Sequence, residues 1–483
     1  MQRTEALSTL LPELPNVPEA MKISGIETDT RRLQPGMLFV GLKTERDTAG
    51  QFLAQAWQAG AVAALLEGES ALQYTAASGQ PVWQIPELRN RLGQALRRWH
   101  RWDENPAPLL IGVTGTNGKS SVTRLIAELA PEPAALIGTL GFGPVHDLTI
   151  HSNTTPEPVR LWDTLARLRD QGARIIALEV SSHALALERV AAVPFSVAVF
   201  TNLSRDHLDF HGDMAQYGAA KARLFQTPTL RLAVLNGDDP FAAVIAAKMA
   251  PTVKVLRFGQ GSCDYQVHQV HLGASGTLVD LQTPQGIRHL RSPLIGLSNV
   301  ENLLAALAVA EGLGWPINDS TIAALDLPEG RYQRLPALPN KAQVIIDYAH
   351  TPDALKKILE DLRAVAKARI IVVFGCGGNR DRGKRPAMGK IAEAFADHII
   401  LTDDNPRSEA PQEIVRDILA GMQHPEHAEV IHDRATAITQ AIRTANPGDW
   451  VLIAGKGHEN TQESMGQRIP FKDQEVAAKV LQQ

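Results

Sequence analysis

The chain has 483 residues, 44% hydrophobic and 21% charged, enough apolar material for about two to four domains at roughly 100–200 residues each. Its 48 Lys+Arg against 52 Asp+Glu give a net charge of −4, which argues against a nucleic-acid binder built on a basic face yet leaves room for local basic pockets. Two cysteines, Cys263 and Cys376, exclude a disulfide framework or a four-cysteine zinc site and fit a reducing cytoplasm.

Residues 1–13 lack a basic start followed by a long apolar stretch, so no signal peptide is expected. The first ~86 residues read as a small mixed domain, with strands at 36–41 and 61–66 around an alanine-rich helix at 52–59. An amphipathic helix over 87–102 leads to Asn105-Pro106-Ala107-Pro108, a hinge by composition. Buried strands then alternate with helices, the signature of a parallel sheet, at 109–114, 174–180, 196–201 and 232–236. The longest apolar-looking stretch, 190–200, is broken by Pro194 and Ser196, so nothing is expected to span a bilayer. A polar β-like stretch at 265–290 and a strong helix at 299–313 follow. Around Gly330-Arg331 a third unit begins, with strands at 343–347, 370–374, 398–402 and 450–454.

Nearly every buried strand is followed at once by a polar or glycine-rich cluster. Ligands of open α/β sheets bind at the carboxyl ends of the strands, so two such sheets predict an active site in the cleft between two rows of loops. Gly115-Thr116-Asn117-Gly118-Lys119-Ser120, between a strand and a helix, reads as a phosphate loop. Its glycines let backbone N–H groups turn toward phosphates, Lys119 reaches the terminal phosphates, and the Ser120 hydroxyl suits Mg²⁺. Val113 stands where the general pattern has its first glycine. Glu179, closing a strand, and Asp206-His207, following the next, offer metal ligands beside a phosphate; a strand-end ion pair and a hydrogen-bonded loop histidine are the structural alternatives. Arg407, in the turn Asp404-Asn405-Pro406-Arg407, presents a planar fork for a carboxylate, or a solvated turn arginine. Gly375 to Asp381 does not match the dinucleotide fingerprint and reads as a close-approach loop presenting Arg380. Cys376 reads as an incidental small residue, and His151, His211, His350 and His458 as loop histidines without zinc-site spacing. By spacing alone Lys221, on a helix predicted at 217–225, is a solvated lysine.

Six strings in order along the chain resemble the Mur ligases, ATP-dependent amide-forming enzymes of bacterial cell-wall precursor synthesis. They are residues 114–120, Asn153-Thr154-Thr155-Pro156-Glu157, Glu179-Val180-Ser181-Ser182-His183, residues 202–209, residues 347–353 and Gly455-Lys456-Gly457-His458-Glu459. The strings are most similar to the members that add the third peptide residue to UDP-N-acetylmuramoyl-L-alanyl-D-glutamate. Asp404 to Arg407 resembles the form that selects meso-diaminopimelate over L-lysine. The resemblance implies an α/β fold in three domains: a small uridine-nucleotide-binding α/β domain at 1–86, a central P-loop ATPase-like parallel-sheet domain at 87–331, and a C-terminal Rossmann-like domain at 332–483 that closes over the amino acid.

It implies ATP contacts from Gly115 through Ser121 (Lys119 among them), Asn299, Arg331 and Asp347, and Mg²⁺ at Ser120, Glu179, His207 and Lys221, the last as a carbamate that turns a cation into an anionic oxygen ligand. Lys119, Glu179, His207 and Lys221 form its catalytic set. Thr28 and Thr30, with a looser match at 45–47, would contact the uridine nucleotide; Asn153, Thr154, Thr155, Ser181 and Arg189 the muramoyl dipeptide; and Arg380, Asp404, Asn405, Pro406, Arg407, Gly455 and Glu459 the diaminopimelate. Leu187 replaces a usual glutamine, Gln333 a hinge glutamate, and Thr30 a serine. A cytoplasmic monomer with no nucleic-acid partner is expected. A lysine-adding ligase, folylpolyglutamate synthetase and a P-loop switch or motor are the alternatives, in that order.

Overall fold

Runs of aliphatic and β-branched residues punctuated by glycine form the strands, and helices with one apolar face fill the intervals. The computed structural model describes residues 3–43, 48, 50–150, 153–273, 276–336 and 341–482. It falls into two units, the first comprising 1–111, 132–196 and 227–229 and the second 112–131, 197–226 and 230–483.

In the first unit a five-stranded sheet runs in the order Ile26–Glu27, Leu38–Gly41, Ala63–Glu67, Pro81–Ile85, Leu72–Thr75, parallel except for the last strand. The helix Leu88–Trp99 buries Leu88, Leu92, Ala95 and Leu96, spaced for one face. It ends three residues before the sequence expectation because Arg101 turns left-handed (φ 48°), and Trp102 packs edge-on to Trp162 at 5.5 Å instead. Also in this unit, Ala134–Gly138 pairs in parallel with Ile175–Glu179 and antiparallel with Gly141–Pro144.

In the second unit Val197–Phe200, Leu232–Asn236 and Lys254–Gly259 pair in parallel. The residues expected to be polar β structure form a meander of Tyr265–Gly273, Gly276–Thr283 and Gly286–Ser292. The helix Leu297–Gly312, buried from Leu303 through Ala310, packs on the helix Lys119–Leu129. A six-stranded sheet follows in the order Gln333–Arg334, Gln343–Asp347, Trp450–Ala454, Ile370–Phe374, His398–Leu401, Ala428–Val430, parallel except for its first strand. Side chains alternate between its faces. Ile345, Val372 and Leu452 pack with Leu355, Leu359 and Met388, while Val344, Val373 and Ile453 pack with Ala437, Ile438 and Leu481. Because these strands are parallel, the loops at 348–350, 375–380, 403–407 and 455–459 leave the same end. Among the described residues no helix is long and apolar enough to cross a membrane.

Candidate active site

The strand Leu109–Thr114 delivers a tight turn into the helix Lys119–Leu129. Val113, fully buried, belongs to that strand, so the turn begins at Gly115. A Cβ on Gly115 would lie 1.9 Å from Thr201 Oγ1, and Gly118 (φ 86°) combines a left-handed backbone with Asn302 Oδ1 at 2.5 Å from the same imagined atom. Only glycine fits either place. The loop is held from the next strand end: Asn117 N–H donates to Asn202 Oδ1 (2.9 Å), and Thr201 Oγ1 donates to Asn117 O (2.6 Å). Lys119 Nζ folds back on the carbonyls of Gly115 and Thr116, each at 2.9 Å. Ser120 and Ser121 are buried in the first helical turn, and Arg331 Nη2 donates to Ser120 Oγ at 3.3 Å.

Lys221 corrects the reading from spacing. Its helix is Met214–Ala222, continued by a 3₁₀ turn over Arg223–Gln226, and the side chain is 1% exposed rather than solvated. Its Nζ donates to Gly115 O at 2.7 Å and lies 4.4 Å from the centre of the Tyr217 ring. Burial, reinforced by the Lys119 charge, drives the Lys221 pKa well below the usual lysine value, favouring the neutral amine. Burial also lowers that of His207, with Lys119 and Lys221 acting in the same sense against Asp206. Asp206 Oδ2 lies 3.3 Å from His207 Nε2 and 4.0 Å from His350 Nε2. Burial opposes its ionisation, yet His207, His350 and Lys384 outweigh burial and hold Asp206 below the ordinary carboxylate range.

Asn299 is buried and spends its amide structurally, donating to Ile295 O (2.8 Å) and accepting from Asn302 Nδ2 (3.2 Å). Asp347 Oδ2 accepts from Tyr332 N–H at 2.6 Å, and burial raises its pKa despite Arg331. Arg331 stacks over the Tyr348 ring at 4.5 Å.

A cavity of about 240 Å³ collects the C-terminal loops together with Asp206, His207 and Asp209. Of the residues expected at an amino-acid site, Arg380, Asp404, Asn405, Arg407, Gly455 and Glu459 line it, as does His207; Pro406 does not. Asn405 is the hub: Nδ2 donates to Glu459 Oε2 (2.7 Å), while Oδ1 accepts from Lys456 Nζ (3.0 Å) and Glu463 N–H (2.9 Å). Gln462 Nε2 donates to the carbonyls of Asp403 (3.1 Å) and Asp404 (3.0 Å). Arg407 is left-handed (φ 54°), its N–H bonded to Glu463 O at 3.0 Å. Its Nη1 donates to Gly378 O (2.7 Å), and Nη2 makes no hydrogen bond among the described residues. Asp404 is buried and its pKa raised by that burial, with Lys456 and Arg434 pulling the other way. Burial pushes the Cys376 thiol up to about 12, leaving it inert.

In the first unit Glu179 is 2% exposed and accepts from Thr139 through N–H (2.9 Å) and Oγ1 (3.1 Å). Thr139 Oγ1 is also 3.0 Å from Thr154 Oγ1. Thr155 Oγ1 donates to Glu179 O (2.7 Å) and accepts from Ser181 N–H (3.0 Å), and Arg189 reaches Thr155 O (3.2 Å) and Glu157 (2.7 Å). These residues form one cluster; Asn153 is exposed beside it. Thr28 N–H donates to Glu27 Oε1 (2.9 Å) and Thr30 Oγ1 to Gln55 (3.2 Å). Residues 45–47 and His151 lie outside the described residues.

Reasoning from sequence missed Thr139, Asn302, Lys384, Lys456 and Gln462. Lys456 lay within a string already singled out, and Asn302 stands one helical turn from Asn299, which could have flagged it. The others take their place through contacts distant in sequence. Among the described residues, no three His, Cys, Asp or Glu side chains are grouped to hold a metal ion.

A phosphate loop, with a charged cavity lined by the loops of a second parallel sheet, defines an α/β enzyme that couples nucleotide phosphate to group transfer. Residues 113–310 match the Mur ligase middle domain, and 330–457 the Mur ligase glutamate ligase domain. A Pseudomonas aeruginosa protein named UDP-N-acetylmuramoyl-L-alanyl-D-glutamate–2,6-diaminopimelate ligase is 43% identical over 97% of this chain and 96% of its own. A Xanthomonas campestris pv. campestris protein of the same name is 44% identical over 100% and 98%. A solved structure bearing that name superposes with a TM-score of 0.73, at 36% identity over 99% of both chains. The chain belongs to the Mur ligase family, and so is an enzyme, an ATP-dependent amide-forming ligase.

Proposed function

We propose that this ligase adds meso-diaminopimelate to the D-glutamyl γ-carboxylate of UDP-N-acetylmuramoyl-L-alanyl-D-glutamate, in peptidoglycan precursor synthesis. The observation that carries the reading is the cavity: it joins His207, beside the phosphate loop, to Arg407 with an uncommitted Nη2. The relatives above are named as ligases of UDP-N-acetylmuramoyl-L-alanyl-D-glutamate and 2,6-diaminopimelate, which supports the reading.

The γ-carboxylate attacks the ATP γ-phosphorus, giving an acyl phosphate and ADP; the free amine of diaminopimelate then attacks the acyl carbon and phosphate leaves. Both partners of the first step are anionic. Lys119, the loop N–H groups and the helix N-terminus offset their repulsion and the charge that builds in the transition state. Ser120, His207 and Lys221 as a carbamate would hold Mg²⁺, with Glu179 of the first unit proposed as a further ligand, and the ion would add charge neutralisation at the phosphates. The donor chemistry fits: burial favours the neutral Lys221 amine, the form that adds carbon dioxide, and the neutral His207 imidazole.

Gly115 through Ser121, Asn299, Arg331 and Asp347 are assigned to ATP; Thr28 and Thr30 to the uridine nucleotide; Asn153, Thr154, Thr155, Ser181 and Arg189 to the muramoyl dipeptide. Arg380, Asp404, Asn405, Pro406, Arg407, Gly455 and Glu459 are assigned to diaminopimelate. Lysine lacks the distal carboxylate, so it would leave Arg407 Nη2 without a partner in a partly buried site, where Nε has only Glu463 Oε2 at 3.9 Å, and such a loss separates analogues far more than shape does. The functional division we propose is 1–86 for the uridine nucleotide, 87–331 for ATP and 332–483 for the amino acid. Two free cysteines suit a cytoplasmic setting, and the family resemblance suggests a monomer. Incubation with ATP, Mg²⁺, the nucleotide dipeptide and meso-diaminopimelate should yield a product heavier than the nucleotide dipeptide by one diaminopimelate minus water. A mass unchanged in the presence of folded, ATP-binding protein contradicts the reading.

A further inference from the structure

Two cations stand side by side at the start of the helix Lys384–Phe395, and the structure treats them oppositely. Arg385, fully buried, has both Nη groups paired: Nη1 reaches Glu409 at 3.0 Å and Asp417 at 2.9 Å, and Nη2 reaches Glu409 at 3.0 Å. Lys384 is 8% exposed and lines the cavity, yet among the described residues its Nζ makes no hydrogen bond and no ion pair within 4 Å. An ammonium that faces the cavity with no hydrogen bond or close ion pair committed to it is free to meet an anion that enters. The amide groups of the first helical turn favour an anion at the same end.

Which anion is set by what surrounds the ammonium. Lys384 lines the cavity together with Asp206, His207 and His350. The His207 ring meets the Tyr217 ring edge-on at 6.1 Å, and the Tyr217 hydroxyl lies 3.1 Å from Thr116 Oγ1 of the phosphate loop. The Asp206-His207 pair therefore links the part of the cavity that holds Lys384 to the phosphate loop. Arg407 and Arg380 converge instead on Gly377, whose imagined Cβ lies 2.9 Å from Arg407 Nη1 and 3.7 Å from Arg380 Cγ. The carboxylates of an amino acid are served there, which leaves Lys384 for phosphate.

We infer that Lys384 is a catalytic residue of the ligase reaction, binding the phosphoryl group as it passes from ATP to the carboxylate substrate. The inference rests on the ligase reading above and assigns one further group to its first step. The step can be isolated by omitting the amino acid and trapping with hydroxylamine. The γ-carboxylate oxygen bonds to the γ-phosphorus as the bond to the bridging oxygen breaks and ADP leaves. The hydroxylamine nitrogen then bonds to the acyl carbon and loses a proton to water, and phosphate leaves with the electrons of the C–O bond.

Lys384→Met should lower hydroxamate formation by roughly 10²- to 10³-fold, the scale of losing one donor to transition-state charge. Its thermal stabilisation by ADP should be unchanged, and the KM for meso-diaminopimelate should stay within about threefold of wild type. Lys384→Arg, which keeps the charge, should recover at least about tenfold of the loss. If the methionine variant does not fold, Lys384→Gln takes its place with the same expected loss. Undiminished hydroxamate formation overturns the inference, as does a raised diaminopimelate KM at unchanged kcat, which would move Lys384 to the amino-acid carboxylates. Absence of hydroxamate from the wild-type protein overturns the ligase reading itself, and this inference with it.

Discussion

The phosphate loop and the Asn405 network are both dense polar sites of the second unit, built in opposite ways. Residues 115–120 are shaped by a strand, two glycines and a helix that are consecutive in sequence. Asn405, Arg407, Lys456, Glu459 and Gln462 are held by hydrogen bonds between two segments more than fifty residues apart. A site of the first kind can be read from a string of residues, because the backbone itself binds. A site of the second kind exists only once the sheet has brought its loops to one end. On the proposed function, the first serves phosphate chemistry and the second the choice of amino acid.

Lys119→Ala should have the largest effect, lowering kcat by about 10³-fold or more in phosphate release, since it removes the positive charge of the phosphate loop. Arg407→Ala should raise the meso-diaminopimelate KM by about a hundredfold while shifting the ATP KM only severalfold. An equal effect on both substrates would erase the division between the two regions. Arg434→Met reaches the second region from behind. Arg434 is paired to Asp473 by two 2.7 Å bonds, both residues buried, and also donates to Ala454 O just before Gly455. Removing it strands the Asp473 carboxylate, so urea denaturation should show a loss of about 3–5 kcal/mol, with ADP affinity the last property to suffer. Gly455→Ala is milder: at φ 112° its Cβ would lie 2.4 Å from Asp404 Oδ2, so the diaminopimelate KM should rise about tenfold and the melting temperature fall.

The smallest effect is on pH dependence. Burial lowers the pKa of His350 and of His458 to about 3. Below about pH 6.5 each histidine takes up a proton in the unfolded chain but not in the folded one. Stability is therefore lost as pH falls from 6.5 toward 3, on the order of 1 kcal/mol per pH unit for His458 and less for His350, whose side chain is 35% exposed to screening solvent. Melting temperatures at pH 7 and 5.5 should show the drop, and His458→Phe should reduce it.

Strands at 109–114, 232–236, 343–347, 370–374 and 450–454 coincide with the sequence expectation because fully buried parallel strands are continuous apolar runs. Lys254–Gly259 was illegible, since its exposed Lys254 and Arg257 interrupt the run. The phosphate loop could be read from residues alone. Lys221 and Asn299 carried no signal beyond the family resemblance, and the turn 404–407 only an arginine fork that a solvated turn would equally present, because burial and partners far along the chain give them their character. Lys384 and Gln462 went unread for the same reason: nothing local separates them from solvated residues.

Steady-state phosphate release with ATP, Mg²⁺ and the nucleotide dipeptide, comparing meso-diaminopimelate, L-lysine and no amino acid, tests the division most directly. The account predicts release that depends on the dipeptide and on meso-diaminopimelate, with kcat/KM for lysine lower by orders of magnitude in the wild type and the gap largely closed in Arg407→Ala. Equal use of lysine by the wild type, or an undiminished preference in Arg407→Ala, would contradict it.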